Sequence, residues 1–181
     1  MDYLVIDLEG TCCNDGTIHP SERETIEIGA VIASQSGDIL LEYGTIVRPV
    51  RHPILTKFCT ELTGITQSDV DGAKPFPEVW SSFLQWVGPR QSFCSWGDYD
   101  LDQFRRDCLF HSLSLWFNSH CNLSTVFSRS YGKRAGNRKA ARLLGIEPKG
   151  THHRGLDDAK NISAVMAAMI RMGRQVEPLS L

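Results

Sequence analysis

The N-terminal stretch YLVIDLEG (3–10) is a short, largely apolar run that carries two acids, Asp7 and Glu9, and ends in glycine. This pattern is typical of a central strand buried on both faces of a sheet. Residues two apart in a strand point to the same face, so the two carboxylates lie side by side. Buried together they repel each other, unless a divalent cation such as Mg²⁺ or Mn²⁺ sits between their oxygens. The stretch therefore predicts a central strand with a candidate metal site, although Glu9 could instead cap the strand in solvent.

The remaining sequence predicts strands followed by helices that alternate with strands. A hairpin is expected where two strand-like runs flank the turn QSGD. The predicted strands are 25–34, 39–49, 91–97 and 120–124, and the predicted helices are 74–88, 100–115, 125–132, 136–144 and 157–172. This order predicts an α/β fold with a mixed sheet. A chain of 181 residues suits one domain, which we place at 1–175, with a C-terminal tail at 176–181.

Composition narrows the class of protein. A hydrophobic content of 41% and a charged content of 22% are ordinary for a globular protein. No basic segment followed by a long apolar run begins the sequence, and no apolar run is long enough to span a bilayer, so we expect a cytoplasmic protein without membrane contact. The six cysteines lack CxxC spacing and are expected to be free thiols.

The charge is distributed unevenly along the chain. The net charge is −2, yet residues 108–146 contain no Asp or Glu. The basic residues near the end of this span are Arg129, Lys133, Arg134, Arg138, Lys139 and Arg142. Such a run is often only a solvated helix face, but a basic block without acids favours a surface that binds a polyanion.

The last predicted helix distinguishes between the adjacent acids Asp157 and Asp158. Its apolar residues recur at three and four, and stepping back four residues from Ile162 leads to Asp158. Asp158 should therefore face the sheet, where Asp7 and Glu9 cannot compensate its charge without a metal. Spacing alone does not choose between the neighbouring loop residues His152 and His153.

Three segments, VIDLEGTC, SWGDYD and HHRGLDDAKN, together resemble the motifs of the DEDD 3′–5′ exonuclease superfamily, in the DEDDh (DnaQ-like) branch that has a catalytic histidine. FCTELTGIT (58–66) and GLDDAKNI further resemble the Eri-type exoribonucleases and their KapD-like bacterial relatives. The resemblance covers essentially the whole chain. It implies an RNase H-like fold with a five-stranded mixed sheet flanked by helices, and makes 1–175 a single exonuclease domain.

The resemblance also assigns roles to residues. The second aspartate of the family follows an aromatic residue and corresponds to Asp100, although Asp98 and Asp102 lie close by. The family histidine precedes its aspartate by five residues, which selects His153 and leaves His152 without a role. The implied catalytic residues are Asp7, Glu9, Asp100, His153 and Asp158. By the family pattern the four acids hold two divalent ions, Mg²⁺ or Mn²⁺, and His153 is the general base.

The expected function is 3′–5′ exonucleolytic hydrolysis of RNA, with a preference for a single-stranded 3′ end and release of nucleoside 5′-monophosphates. The expected substrate-binding residues are Thr11, Leu62, Tyr99, Lys133, Arg134 and Arg138. A DNA exonuclease, an oligoribonuclease and a non-catalytic nucleic-acid-binding adaptor remain alternatives. A zinc site formed by Cys12, Cys13 and the two histidines is disfavoured, because adjacent residues rarely ligate one ion together.

Overall fold

The computed structural model describes residues 2–181, so Met1, the first residue of the predicted domain, lies outside the described part. Seven strands form one mixed sheet in the order β4-β3-β2-β1-β5-β6-β7. The strands are β1 (Asp2–Gly10), β2 (Thr25–Ser34), β3 (Ile39–Arg48), β4 (Lys74–Pro75), β5 (Ser92–Ser95), β6 (Ser119–Asn122) and β7 (Leu179–Ser180). β1 is central, antiparallel to β2 and parallel to β5.

Helices cover both faces of the sheet. They are α1 (Lys57–Thr63), α2 (Gln67–Asp71), α3 (Phe76–Val87), α4 (Tyr99–Phe110), α5 (Leu123–Tyr131), α6 (Asn137–Leu143) and α7 (Gly155–Arg171). Helices α3 and α4 pack on one face through an aromatic cluster that includes Trp80, Phe83 and Phe104. Helices α5, α6 and α7 pack on the other face, where Ile162 and Met166 are fully buried.

The alternation along β1 determines where its acids lie. Leu4, Ile6 and Leu8 belong to the cluster under α3 and α4, whereas Val5 belongs to the cluster under α7. Because side chains alternate along a strand, Asp7 and Glu9 share the face of Val5. The acids therefore point toward the side on which α7 begins.

Close backbone contact fixes the start of α7 against the sheet. A Cβ atom on Gly29 of β2 would clash with the backbone carbon of Gly155, so no larger residue fits at either position without a shift. Next to this contact, Glu27 accepts hydrogen bonds from the Gly155 N–H at 2.9 Å and from Arg154 Nη2 at 3.0 Å. These contacts bring the first turn of α7 within reach of β1.

The α/β fold with a mixed sheet between helices, predicted from the sequence, is confirmed. The sheet has seven strands and not five, because β4 and β7 are two-residue strands, too short to produce a periodic pattern. β7 lies within the expected tail 176–181 and pairs antiparallel with β6. Helices α1 and α2 were not predicted individually. Over residues 2–181, none of the helices combines the length and apolar character that crossing a membrane requires.

Candidate active site

Three elements bring four carboxylates into one cleft. Asp7 and Glu9 come from β1, Asp100 from the first turn of α4, and Asp158 from the first turn of α7. The cleft has a volume of about 850 Å³, and His153 also lines it. The structure therefore places all five residues that were predicted to be catalytic around a single cavity.

The carboxylate oxygens are close enough to share a cation. One oxygen each from Asp7, Glu9 and Asp158 lies within 4.8 Å of the others. Asp158 is 2% exposed, and its Oδ1 atom has no hydrogen-bond partner among residues 2–181. The nearest cation is Arg138 Nη1, which lies 3.9 Å from this oxygen. A buried carboxylate oxygen without a hydrogen bond is costly, and an all-oxygen donor set is the one that Mg²⁺ and Mn²⁺ prefer. These residues fit a divalent metal ion.

The electrostatics of the metal-free cluster agree with this fit. Burial, followed by the charges of Asp100, Glu9 and Asp158, raises the pKa of Asp7 well above its ordinary value. Burial, followed by the charges of Asp158, Glu27 and Asp100, raises the pKa of Glu9 to about 8. Burial also raises the pKa of Asp100 to about 6, although the Leu8 N–H, which donates to Asp100 Oδ1 at 2.8 Å, opposes this rise. The cluster therefore binds protons at a pH where isolated carboxyls are ionised. A bound cation would reduce the repulsion between the carboxylates in the same way as these protons do.

Both histidines line the cleft and contact Asp158, and the ring of His153 also lies near Glu9. His153 has a left-handed backbone with φ of 60°, and its N–H donates to Asp158 Oδ2 at 2.9 Å. The Nδ1 atom of His153 lies 3.8 Å from Glu9 Oε1. The ring of His152 stacks on that of His153 with centroids 3.9 Å apart, and its Nδ1 lies 3.0 Å from Asp158 Oδ2. Burial lowers the pKa of His153, which favours the neutral imidazole near pH 7.

The residues predicted to bind substrate divide into two groups. Leu62, Tyr99 and Arg138 line the cleft, but Lys133 and Arg134 do not. Thr11 is also not among the lining residues. It is buried, and its hydroxyl accepts the N–H of Glu24 at 3.0 Å. The structure gives the Thr11 side chain a hydrogen bond within the protein and no contact with the cavity.

Several cleft residues were not singled out from the sequence. They include Arg23, Trp96 and Asn137. Arg23 is flanked by two glutamates in the sequence, so local charge gave no signal of a cationic site. Trp96 was detectable in principle, because it precedes the predicted catalytic Asp100 by four residues in the same segment.

Comparisons with known proteins agree with this arrangement. Residues 4–166 match the RNase_T family, described as exonuclease. ERI1 exoribonuclease 2 of Homo sapiens is 36% identical over 95% of this chain, and ERI1 exoribonuclease 3 of Homo sapiens is 31% identical over 94%. The aligned regions cover 29% and 54% of those two proteins, so this chain spans only part of their length.

A solved structure shows the same fold along the full chain. It is the crystal structure of the nuclease domain of 3′hExo, a DEDDh family member, bound to rAMP. The two structures superpose with a TM-score of 0.89 and 26% sequence identity, covering 99% of this chain and 96% of that one. The chain therefore belongs to the RNase_T exonuclease family, among the Eri-type members of its DEDDh branch.

Proposed function

We propose that this chain is a metal-dependent 3′–5′ exoribonuclease that hydrolyses the 3′-terminal phosphodiester of RNA and releases nucleoside 5′-monophosphates. One observation carries the proposal: four largely buried carboxylates and a histidine converge in a single open cleft. Acids so placed destabilise the metal-free fold, so their presence together is best explained by a cation that the reaction uses. The names of the related exoribonucleases support RNA as the substrate.

DEDDh exonucleases are metal-dependent. We therefore propose that the four acids hold two divalent ions. Asp7, Glu9 and Asp158, whose oxygens are grouped, would hold the first ion. Asp7 would also contact the second ion, which Asp100 would hold mainly through water. When bound, Mg²⁺ or Mn²⁺ stabilises the attacking and leaving oxygens of the phosphodiester.

His153 is proposed to be the general base. Its side chain is 38% exposed and lines the cleft, so it can reach a water molecule beside the phosphate. Its lowered pKa keeps the imidazole neutral and able to accept the proton of the attacking water. The hydrogen bond from its backbone N–H to Asp158 ties the loop to α7 and positions the ring near the acids.

Substrate would be held outside the acidic centre, because carboxylates repel phosphates. Tyr99 and Leu62 are 38% and 37% exposed in the cleft, where they can contact the terminal nucleotide. A base stacked on Tyr99 would gain about 1–3 kcal/mol without any sequence preference. Arg138 and Lys139 line the same cleft and would contact phosphates near the 3′ end.

Lys133 and Arg134 are exposed and lie outside the cleft, so we propose that they bind RNA further upstream. Two double variants separate these roles. Lys133→Gln/Arg134→Gln should weaken binding of a long RNA and leave dinucleotide cleavage unchanged, whereas Arg138→Gln/Lys139→Gln should impair both. Each cation that pairs with a phosphate should contribute about 0.7 to the slope of log affinity against log salt, so neutralising it should flatten that slope. An unchanged slope in both variants would show that the basic block is only a solvated face.

The activity itself is tested with 5′-labelled RNA and DNA of one sequence, incubated with Mg²⁺, Mn²⁺ or EDTA. We expect a ladder that shortens from the 3′ end with either metal, no cleavage in EDTA, and faster cleavage of RNA than of DNA. A circular RNA of the same sequence is the matched control, because it lacks a 3′ end. Cleavage of the circle would indicate an endonuclease, faster cleavage of DNA would indicate a DNA exonuclease, and binding without cleavage would indicate an adaptor.

A further inference from the structure

A second, smaller groove lies beside the catalytic cleft. Its volume is about 180 Å³, and Arg23 lines both the groove and the cleft. Arg51 and Arg106 also line it, so we call it the arginine groove. Arg106 stands on α4, and its guanidinium carbon lies 5.9 Å from the ring centre of Tyr99, which lines the cleft. The groove therefore lies beside the proposed position of the 3′-terminal nucleotide.

The three guanidinium groups lack carboxylate partners. In the part of the chain that the structure describes, none of Arg23, Arg51 and Arg106 forms a salt bridge. Arg106 Nη2 donates to the neutral amide of Gln103 at 2.7 Å, but its buried Nε and that of Arg23 have no hydrogen-bond partner within that part. Arg51 stacks over the ring of Phe110 at 4.0 Å, which leaves the N–H groups at the edge of its guanidinium directed away from the ring face. The groove is thus lined by three guanidinium groups that no carboxylate pairs with among residues 2–181.

Two acids line the groove, but other donors already engage them. Glu24 is 4% exposed and accepts the backbone N–H groups of residues 50–52 at 2.7–3.0 Å. Asp107 is 2% exposed, and its Oδ2 accepts the Thr25 hydroxyl at 2.6 Å and the Gln103 amide at 3.0 Å. These acids therefore support the fold at the base of the groove, and neither forms an ion pair with the three arginines, which outnumber them in the lining.

We propose that the arginine groove is a phosphate-binding site that holds the backbone of the nucleic-acid substrate on the Tyr99 side of the cleft. Guanidinium groups bind phosphate oxygens through paired N–H donors, and unpaired arginines next to a cleft are the expected recognition element. None of the residues that line the groove belongs to the basic block, so the two surfaces are separate. This inference rests on the proposed function for its ligand, but its binding test does not require turnover.

The test uses Arg51→Gln and the double variant Arg51→Gln/Arg106→Gln. Arg105→Gln is the matched control, because Arg105 is adjacent on α4 but pairs with Asp102 outside the groove. Binding of a 5′-labelled 12-nucleotide RNA is measured in EDTA at several salt concentrations. Each phosphate that a cation neutralises contributes about 0.7 to the slope of log affinity against log salt, which corresponds to roughly fivefold in affinity at 0.1 M salt. We therefore expect roughly fivefold weaker RNA binding for the single variant and about 25-fold weaker binding for the double variant. Arg105→Gln should bind like the wild type.

Free nucleotide is the other source of a phosphate group, and adenosine 5′-monophosphate binding is measured on the same proteins. Weaker RNA binding with unchanged nucleotide binding supports the proposal. A defect in nucleotide binding alone would assign the groove to the free product and overturn the backbone site. Equal RNA affinity in the double variant and in Arg105→Gln would also overturn it. Because Arg51 is exposed, the single variant tests the site even if Arg106→Gln fails to fold, and dinucleotide hydrolysis tests the proposed activity separately.

Discussion

Replacing Glu9 with glutamine should remove much of the pH dependence of stability in the metal-free protein. The pKa of Glu9 is raised from 4.5 to about 8, first by burial and then by Asp158, Glu27 and Asp100. A group whose pKa is higher in the folded state than in the unfolded state stabilises the fold at pH values below its unfolded-state pKa. This stability is lost as the pH rises toward the pKa of the folded state. The full shift corresponds to about 5 kcal/mol at 1.36 kcal/mol per unit. Between pH 5 and pH 8 the wild type should therefore lose about 4 kcal/mol through this group.

The measurement is urea unfolding in EDTA at pH 5 and pH 8. The Glu9→Gln side chain stays neutral at both values, so the fall in unfolding free energy should be smaller than in the wild type by about 4 kcal/mol. Glu78→Gln is the matched control, since Glu78 is exposed on α3 and should leave the fall unchanged. Added Mg²⁺ at pH 8 should stabilise the wild type more than Glu9→Gln, because the ion supplies the positive charge. An identical pH dependence in wild type and Glu9→Gln would refute the reasoning.

Four further substitutions test the site and the scaffold that holds it. Asp7→Asn should abolish hydrolysis, yet the unfolding temperature without metal should hold or rise because repulsion is relieved; activity within a few-fold of wild type would contradict the two-metal proposal. In single-turnover assays His153→Ala should slow cleavage by about 10²–10⁴-fold, whereas His152→Ala should have a mild effect, and the reverse order would mean that the wrong histidine was assigned. Gly29→Ala should push α7 away from β2, lowering the urea unfolding free energy by about 1–3 kcal/mol and reducing turnover; wild-type values for both would show that the close approach to Gly155 is not required.

Three of the four acids could be placed from the sequence pattern because each lies in a regular element. The period of a strand placed Asp7 and Glu9 on one face, and the period of a helix distinguished Asp158 from Asp157. Asp158 is indeed buried on the sheet side of α7, as predicted. Asp100 needed the family resemblance, since two other acids in the same segment fit a helix start equally well.

The parts that were not predicted depend on contacts between distant segments. β4 and β7 are strands only because they pair with β3 and β6. Helix α2 is five residues long and gives little periodicity, although the Thr66 and Asp69 capping box at its start was a readable signal. Spacing did not choose between His152 and His153, and both lie beside Asp158 in the cleft, so the assignment of His153 stays a prediction from the family resemblance. Arg23 became visible as a cleft residue only when the fold brought its loop beside Tyr99.

The docking of α7, and not any attraction between carboxylates, brings Asp158 beside the acids of β1 and α4. Asp7, Glu9 and Asp100 have raised pKa values, so the cluster opposes the metal-free fold. The opposing contribution comes from α7, whose apolar face is fully buried against the sheet and whose first turn is tied to β2 through Glu27. Burial of each large apolar side chain contributes about 1.5–3 kcal/mol, so a few such residues offset the cost of an unmetallated cluster. The packing of α7 on the sheet therefore holds Asp158 beside β1 before any metal binds. The cation then reduces the repulsion between the carboxylates that the fold holds together.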